Sequence, residues 1–278
     1  MKIRITILCE NSVGIPVGVV GEHGFACFLE TEKGNYLFDT GQGFGLVQNA
    51  MALGKDLKTV DAVMISHGHY DHTGGLPALL KIKGNVNVYG HPEIFIRRTA
   101  FHDGRTFDVG IPFRRCFLEG WGADFHLNTG LTRVGPGVFL TGEIPRKSTF
   151  ETGDAHMVAY PDDGPPRQPD PILDDQSLII DSDKGLIVVL GCAHAGMINI
   201  LNYVLEKMGK KRIYAVIGGT HLGFASESQI EATLDTIGQY GIEKIGVSHC
   251  TGLENAARLY ARLPGRFFFG CVGSVLEG

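Results

Sequence analysis

Val60-Asp61-Ala62-Val63-Met64-Ile65-Ser66-His67-Gly68-His69-Tyr70-Asp71-His72 decides how this chain is read. The first six residues are apolar, rich in β-branched side chains and short, which predicts a buried strand. Positions 67–72 then hold three imidazoles and one carboxylate. The cluster falls where a strand ends and a loop turns into the next helix, the edge at which α/β proteins place ligands and chemistry. His67 and His69 are two apart, so in an extended segment they project to the same side. Asp71 and His72 follow as the chain turns. One pair can hold a metal ion while the other holds a neighbouring one. Imidazole with carboxylate suits zinc, iron, manganese or nickel, whereas magnesium and calcium take all-oxygen shells. Four ligands from one loop are too few for two metals with an open position, so further donors must come from elsewhere in the chain.

Three later segments each place a histidine just past a predicted strand. Strand 186–190 leads into Gly191-Cys192-Ala193-His194, strand 212–217 into Gly218-Gly219-Thr220-His221, and strand 243–247 into Ser248-His249-Cys250-Thr251-Gly252. Such strand ends can converge on one edge. His194 and His249 are expected to complete the ligand set begun by His67, His69, Asp71 and His72. Cys192 and Cys250 lie inside these motifs and are candidates to line the site.

His67-Gly68-His69-Tyr70-Asp71-His72 matches the HxHxDH signature of the metallo-β-lactamase superfamily, and Leu37-Phe38-Asp39-Thr40-Gly41 resembles its first motif. With the three later motifs, the chain resembles one branch across nearly its whole length. That branch contains the dihydropterin-methyl-ribofuranosylaminobenzene-phosphate synthases of methanopterin biosynthesis and many bacterial metal-dependent hydrolases. The resemblance implies an α/β fold, a four-layer αββα sandwich, with two divalent metal ions, zinc ahead of iron, manganese or nickel. It implies His249 as the final metal ligand. Asp39 is expected to orient a ligand imidazole through its ring N–H. The commoner superfamily pattern has a Gly-Asp pair where this chain has Gly191-Cys192. Cys192 as thiolate, or His194 two residues on, could take the place of that bridging carboxylate. Asp174 and Asp175 precede strand 176–181 at the place of the usual mid-chain ligand; Asp175 could ligate or merely cap the turn. His221 stands where tRNA-maturation ribonucleases of the superfamily carry a catalytic histidine. It could be a general acid, a phosphate contact or a ligand. Asp71 and His221 are the expected catalytic residues.

The 278 residues fit one large α/β domain or two small ones. One domain is expected, with an inserted region at about 91–137 and a Pro-rich loop at about 161–171. Residues 91–137 read as irregular, and Arg97, Arg98, Arg105, Arg114 and Arg115 there could form a wall of forks for an anionic substrate. A formal charge of −5 advertises neither nucleic acid nor anionic membrane. No run of about 18 apolar residues predicts a transmembrane helix. Met1–Leu8 alternates like a strand and lacks a signal-peptide pattern. Six scattered cysteines, none in a CxxC pair, suggest reduced thiols in the cytoplasm.

Three functions compete at this stage. The first is a metal-dependent hydrolase acting on a small, anionic or phosphorylated substrate with a metal-activated water. The second is a transferase of the synthase type, in which an arylamine displaces a pterin diphosphate. Aromatic residues lining the cleft, such as Phe44, Phe101, Phe113, Trp121 or Phe224, would favour the pterin-sized ring. The third is a di-iron redox or non-catalytic metal-binding protein. A small-molecule partner is expected, with no nucleic acid or membrane, and a homo-oligomer fits as well as a monomer.

Overall fold

In the computed structural model, which describes residues 1–161, 164–209 and 212–278, the chain forms two large mixed sheets. The first runs, edge to edge, Val275–Glu277, Ile3–Cys9, Ala26–Thr31, Gly34–Phe38, Val60–Met64, Val86–Gly90 and Ala123–Leu127. The second runs Phe267–Phe269, Lys244–Ser248, Ile213–Gly219, Gly185–Leu190, Leu178–Ser182, Val138–Leu140 and Thr132–Gly135. A small third sheet pairs Met157–Tyr160 with Arg97–His102 and Arg105–Asp108.

Period-two alternation assigns the layers. Ala62 and Met64 point between the two sheets, while Val63 and Ile65 point outward under helices Leu46–Ala52 and Leu76–Lys83. In the second sheet Ile187 and Val189 face the first sheet, while Leu186, Val188 and Leu190 face helix Met197–Met208. Because both faces of these central strands are covered, they carry nearly unbroken apolar runs rather than a polar face. Helices Glu227–Ile237 and Leu253–Arg262 complete the outer layer of the second sheet through Ile230, Leu234, Ala256 and Leu259. The result is the αββα sandwich.

Residues 91–137 are not irregular. They hold the strands Arg97–His102, Arg105–Asp108, Ala123–Leu127 and Thr132–Gly135 and the helix Arg115–Gly120. Two of these strands extend the large sheets. The expected Pro-rich loop falls partly outside the described residues, at 162 and 163; the described remainder pairs Arg167 with Ala159 and buries Asp170. The terminal strand Val275–Glu277 closes the first sheet beside Ile3–Cys9 and was not expected.

The strands' ends bring distant segments together. Gln176 donates from Nε2 to the Ile65 carbonyl at 3.1 Å, and its backbone N–H donates to the Ser66 carbonyl at 3.0 Å. These bonds clamp the end of the second sheet's strand Leu178–Ser182 to the end of Val60–Met64. Among the described residues no helix is long and apolar enough to cross a membrane.

Candidate metal centre

Both sheets feed one site from the ends of their strands. Asp39 follows Gly34–Phe38, His67 follows Val60–Met64, and His69 opens the short helix Tyr70–Thr73 that carries Asp71 and His72. Cys192 and His194 follow Gly185–Leu190, His221 follows Ile213–Gly219 and His249 follows Lys244–Ser248. Asp39, Ala193, His221 and His249 all hold left-handed backbone, with φ of 57°, 58°, 56° and 53°. Each such residue costs on the order of 1–3 kcal/mol, and this kind of strain concentrates at functional sites. Gly191 is required by close approach: a Cβ there would lie 2.2 Å from Ser66 Oγ and 3.3 Å from Asp39 Oδ2. That packing lets the Cys192 loop reach the histidines.

One buried carboxylate orders two imidazoles. Asp39 Oδ1 accepts the Ser66 N–H at 2.7 Å, and Oδ2 accepts the Ser66 hydroxyl at 2.7 Å and the His72 Nδ1–H at 2.8 Å. Having given its one proton to Asp39, Ser66 Oγ can only accept from His67 Nδ1, 2.9 Å away. Both histidines therefore carry their proton on Nδ1 and present an Nε2 lone pair to the interior, the arrangement a metal ligand needs.

Two groups of donors result. In the first, His67 Nε2 lies 2.9 Å from His69 Nδ1 and 3.3 Å from His194 Nε2, with Cys192 close enough to His67 and His194 to share an ion. In the second, His72 Nε2 is 3.2 Å from Cys192 Sγ and 3.7 Å from Asp71 Oδ2, and His249 Nε2 is 3.2 Å from the same Asp71 oxygen. Cys192 belongs to both groups. The donor chemistry fits metal ions: buried lone pairs that face one another at such distances repel unless a proton or a cation lies between them. His69 Nε2 and His194 Nδ1 are also buried without a hydrogen-bond partner.

Electrostatics agree with that fit. Burial, reinforced by neighbouring imidazoles, pushes His67 and His194 well below the usual histidine range, and burial takes His69 down to about 3. These three are therefore neutral rings near pH 7. Burial opposes charge on His72 as well, yet Asp71 and Asp39 hold it protonated up to about 9; its Nε2 lone pair is therefore exposed only when a cation takes the place of that second proton. Asp71 is itself buried, which favours its neutral form, but His72 and His249 keep it below the usual carboxylate range. Burial drives the Cys192 thiol up, so its thiolate needs a neighbouring cation.

The other expected residues divide. Asp175 joins none of the donor groups found among the described residues. Its Oδ2 accepts the Ala195 N–H at 2.8 Å and so holds the His194 turn; burial raises it to about 6. Asp174 is taken by Arg98. The His221 ring lies 4.2 Å from that of His194, tilted by 52°, and its Nε2 lies 3.8 Å from Asp154 Oδ2. Burial disfavours its charge, but Asp154 and Cys250 raise it to about 9. Three of the five arginines expected to form a wall are engaged within the protein. Arg97 pairs with Asp108, Arg98 is fully buried, and Arg115 pairs with Glu119 on its own helix. Arg146 also lies beside the site: it donates to the His194 carbonyl at 3.0 Å and, with Lys207 and Tyr203, lines a cleft of about 570 Å³. Of the aromatic candidates, Phe224 is 69% exposed and lies 4.8 Å from the His221 ring, whereas Phe113 and Trp121 pack with Phe117.

His23 escaped the sequence reading. Its Nε2 is 3.3 Å from Asp71 Oδ2, within the group formed by Asp71 and His249. A single histidine more than forty residues before the metal loop has no informative spacing. Only the fold shows the approach: at Gly24, φ 135°, a Cβ would lie 2.2 Å from the Asp71 carbonyl oxygen, so this loop is pressed against the 67–72 loop.

An αββα sandwich with histidines, an aspartate and a cysteine gathered at one edge defines the class. The chain belongs to the metallo-β-lactamase superfamily, whose family model matches residues 20–207. It is 31% identical over 264 residues to 7,8-dihydropterin-6-methyl-4-(β-D-ribofuranosyl)-aminobenzene-5′-phosphate synthase of Methanocaldococcus jannaschii, covering 91% of this chain and 89% of that protein. It is similar in structure to Tm1679, described as a metal-dependent hydrolase of the β-lactamase superfamily, with a TM-score of 0.84, 30% identity and 99% of each chain covered. YhfI of Bacillus subtilis, at 12% identity and a TM-score of 0.59 over the full length of both chains, shares the fold.

Proposed function

We propose that this protein is a metal-dependent transferase of the synthase type, joining an arylamine-bearing ribofuranosyl phosphate to a pterin carried on a diphosphate. What supports this reading above all is the likeness to the synthase across about nine-tenths of both chains. The exposed Phe224 ring beside His221 adds a flat apolar surface on which a pterin can stack. In the reaction a carbon–nitrogen bond forms, the carbon–oxygen bond to diphosphate breaks, and the amine loses a proton.

We assign His67, His69 and His194 to one divalent cation and Asp71, His72 and His249 to a second, with Cys192 shared between them. The mixed nitrogen, oxygen and sulfur donors favour zinc, with iron, manganese and nickel as alternatives. Cations held there would supply positive charge to the departing diphosphate and lower the pKa of nearby water. Asp39 and Ser66 keep His67 and His72 in the ligating tautomer. His221, charged beside Asp154, is placed to hold an anionic group or deliver a proton to it. Arg146 and Lys207 offer charge for the phosphate end of the second substrate.

A second reading, hydrolysis of a small anionic ester, thioester or lactone, is supported by the likeness to Tm1679. The same site would serve, with water in place of the amine. Metal-loaded protein incubated with both synthase substrates decides between them. Condensed product with stoichiometric diphosphate supports the transferase. Diphosphate released at the same rate without the arylamine contradicts it and supports hydrolysis.

A further inference from the structure

We propose that His23 is a fixed hydrogen-bond donor for the anionic group of the substrate, held as the Nε2–H tautomer by Asn11, and is not a metal ligand. The inference rests on the reading above that the substrate carries a diphosphate or phosphate.

Asn11 lies between two imidazoles. Its Oδ1 is 3.0 Å from His249 Nδ1, and its Nδ2 is 3.4 Å from His23 Nδ1. The orientation of the amide is set independently. The Gly24 backbone N–H donates to Oδ1 at 3.3 Å, and a backbone N–H cannot accept. Oδ1 therefore accepts from His249 Nδ1–H, which leaves the His249 Nε2 lone pair free for a metal. Nδ2 donates to His23 Nδ1, which puts the His23 proton on Nε2. One side-chain amide thus sets opposite tautomers in two histidines whose rings lie 4.8 Å apart. Both Nε2 atoms lie near Asp71 Oδ2, at 3.2 and 3.3 Å, one as a lone pair and the other as an N–H that a substrate anion can share with that carboxylate.

Position separates them as well. His249 is buried, whereas the His23 side chain is 50% exposed and so stands at the mouth of the site. Its backbone is nevertheless pinned on both sides. The Glu22 N–H donates to the Glu10 carbonyl at 3.0 Å, and Glu22 Oε2 accepts from the Phe44 and Gly45 N–H groups at 2.7 and 3.0 Å. On the other side, the Phe25 N–H donates to the Asp71 carbonyl at 3.3 Å. A half-exposed imidazole on so firm a loop offers a pre-oriented donor with little ordering cost on binding.

The test uses metal-loaded full-length protein, inorganic pyrophosphate as probe and elemental analysis of bound metal. His23→Ala is expected to keep the wild-type metal content and to bind pyrophosphate about 10- to 100-fold more weakly, the range for a hydrogen bond to a charged group. His23→Gln, which restores a donor, recovers part of the loss. Loss of a metal equivalent in His23→Ala would make His23 a ligand and overturn the inference. Unchanged pyrophosphate affinity in that variant would overturn it alone. A wild-type protein that does not bind pyrophosphate would overturn the diphosphate reading along with it.

Discussion

Arg98 and Asp174 meet as a two-pronged, fully buried ion pair, with Nη2 2.7 Å from Oδ1 and Nη1 3.0 Å from Oδ2. Asp174 Oδ2 also accepts the Gly68 N–H at 2.7 Å, and Asp170 takes Arg98 Nε at 2.7 Å. The arginine therefore ties the small third sheet to the metal loop rather than facing substrate. Arg98→Met leaves two buried carboxylates without their counter-charge. It is expected to lower stability by about 3–5 kcal/mol, measured by urea denaturation. A change under about 1 kcal/mol would show that the pair is not needed to hold the loop.

Asp39→Ala removes the acceptor that fixes the ring of His72 and, through Ser66, that of His67. Losing such a partner typically costs 10- to about 100-fold in metal affinity. Competition against a chromophoric chelator should show that loss with the fold intact by circular dichroism. Wild-type affinity would mean that the tautomers are set by something else.

Cys192 sits where both donor groups meet. Cobalt-loaded wild-type protein is expected to show a strong sulfur-to-metal absorption band in the near ultraviolet, and Cys192→Ser to lose it. A band that survives would point to Cys250 or to no role for Cys192.

Acid should destabilise the metal-free protein. His69 falls to about 3 on folding, so below the ordinary histidine pKa the unfolded chain binds more protons than the native one. At pH 5 this one group costs on the order of 2 kcal/mol relative to neutral pH. His67 and His194 shift in the same direction. His72 and His221 shift upward to about 9 and Asp175 to about 6, so their contributions grow as pH falls from 7 to 5 and offset part of this loss without cancelling the three lowered imidazoles. The urea midpoint should therefore drop between pH 7 and pH 5. A flat midpoint would mean that the three imidazoles are not buried as neutral rings.

The sandwich was legible because its central strands are covered on both faces, which leaves long apolar runs such as Leu186–Leu190. The 67–72 loop was legible as a cluster of donors because its imidazoles and carboxylate are adjacent in sequence. His194 and His249 could be found because each directly follows such a strand. The third sheet was hidden: Arg97–His102 is polar, short and paired with a strand more than fifty residues away. Arg98 misled because charge normally signals exposure, and only the fold reveals the two carboxylates that bury it. His23 was hidden because its partners, Asn11 and Asp71, are brought to it by tertiary structure alone.

Elemental analysis of purified, folded protein after loading with divalent ions and removal of excess tests the dinuclear centre most directly. The account predicts two equivalents per chain, one of them lost in a His67→Ala/His194→Ala double variant and the other in His72→Ala/His249→Ala. A folded protein that retains no metal, or keeps both equivalents in these variants, would contradict it.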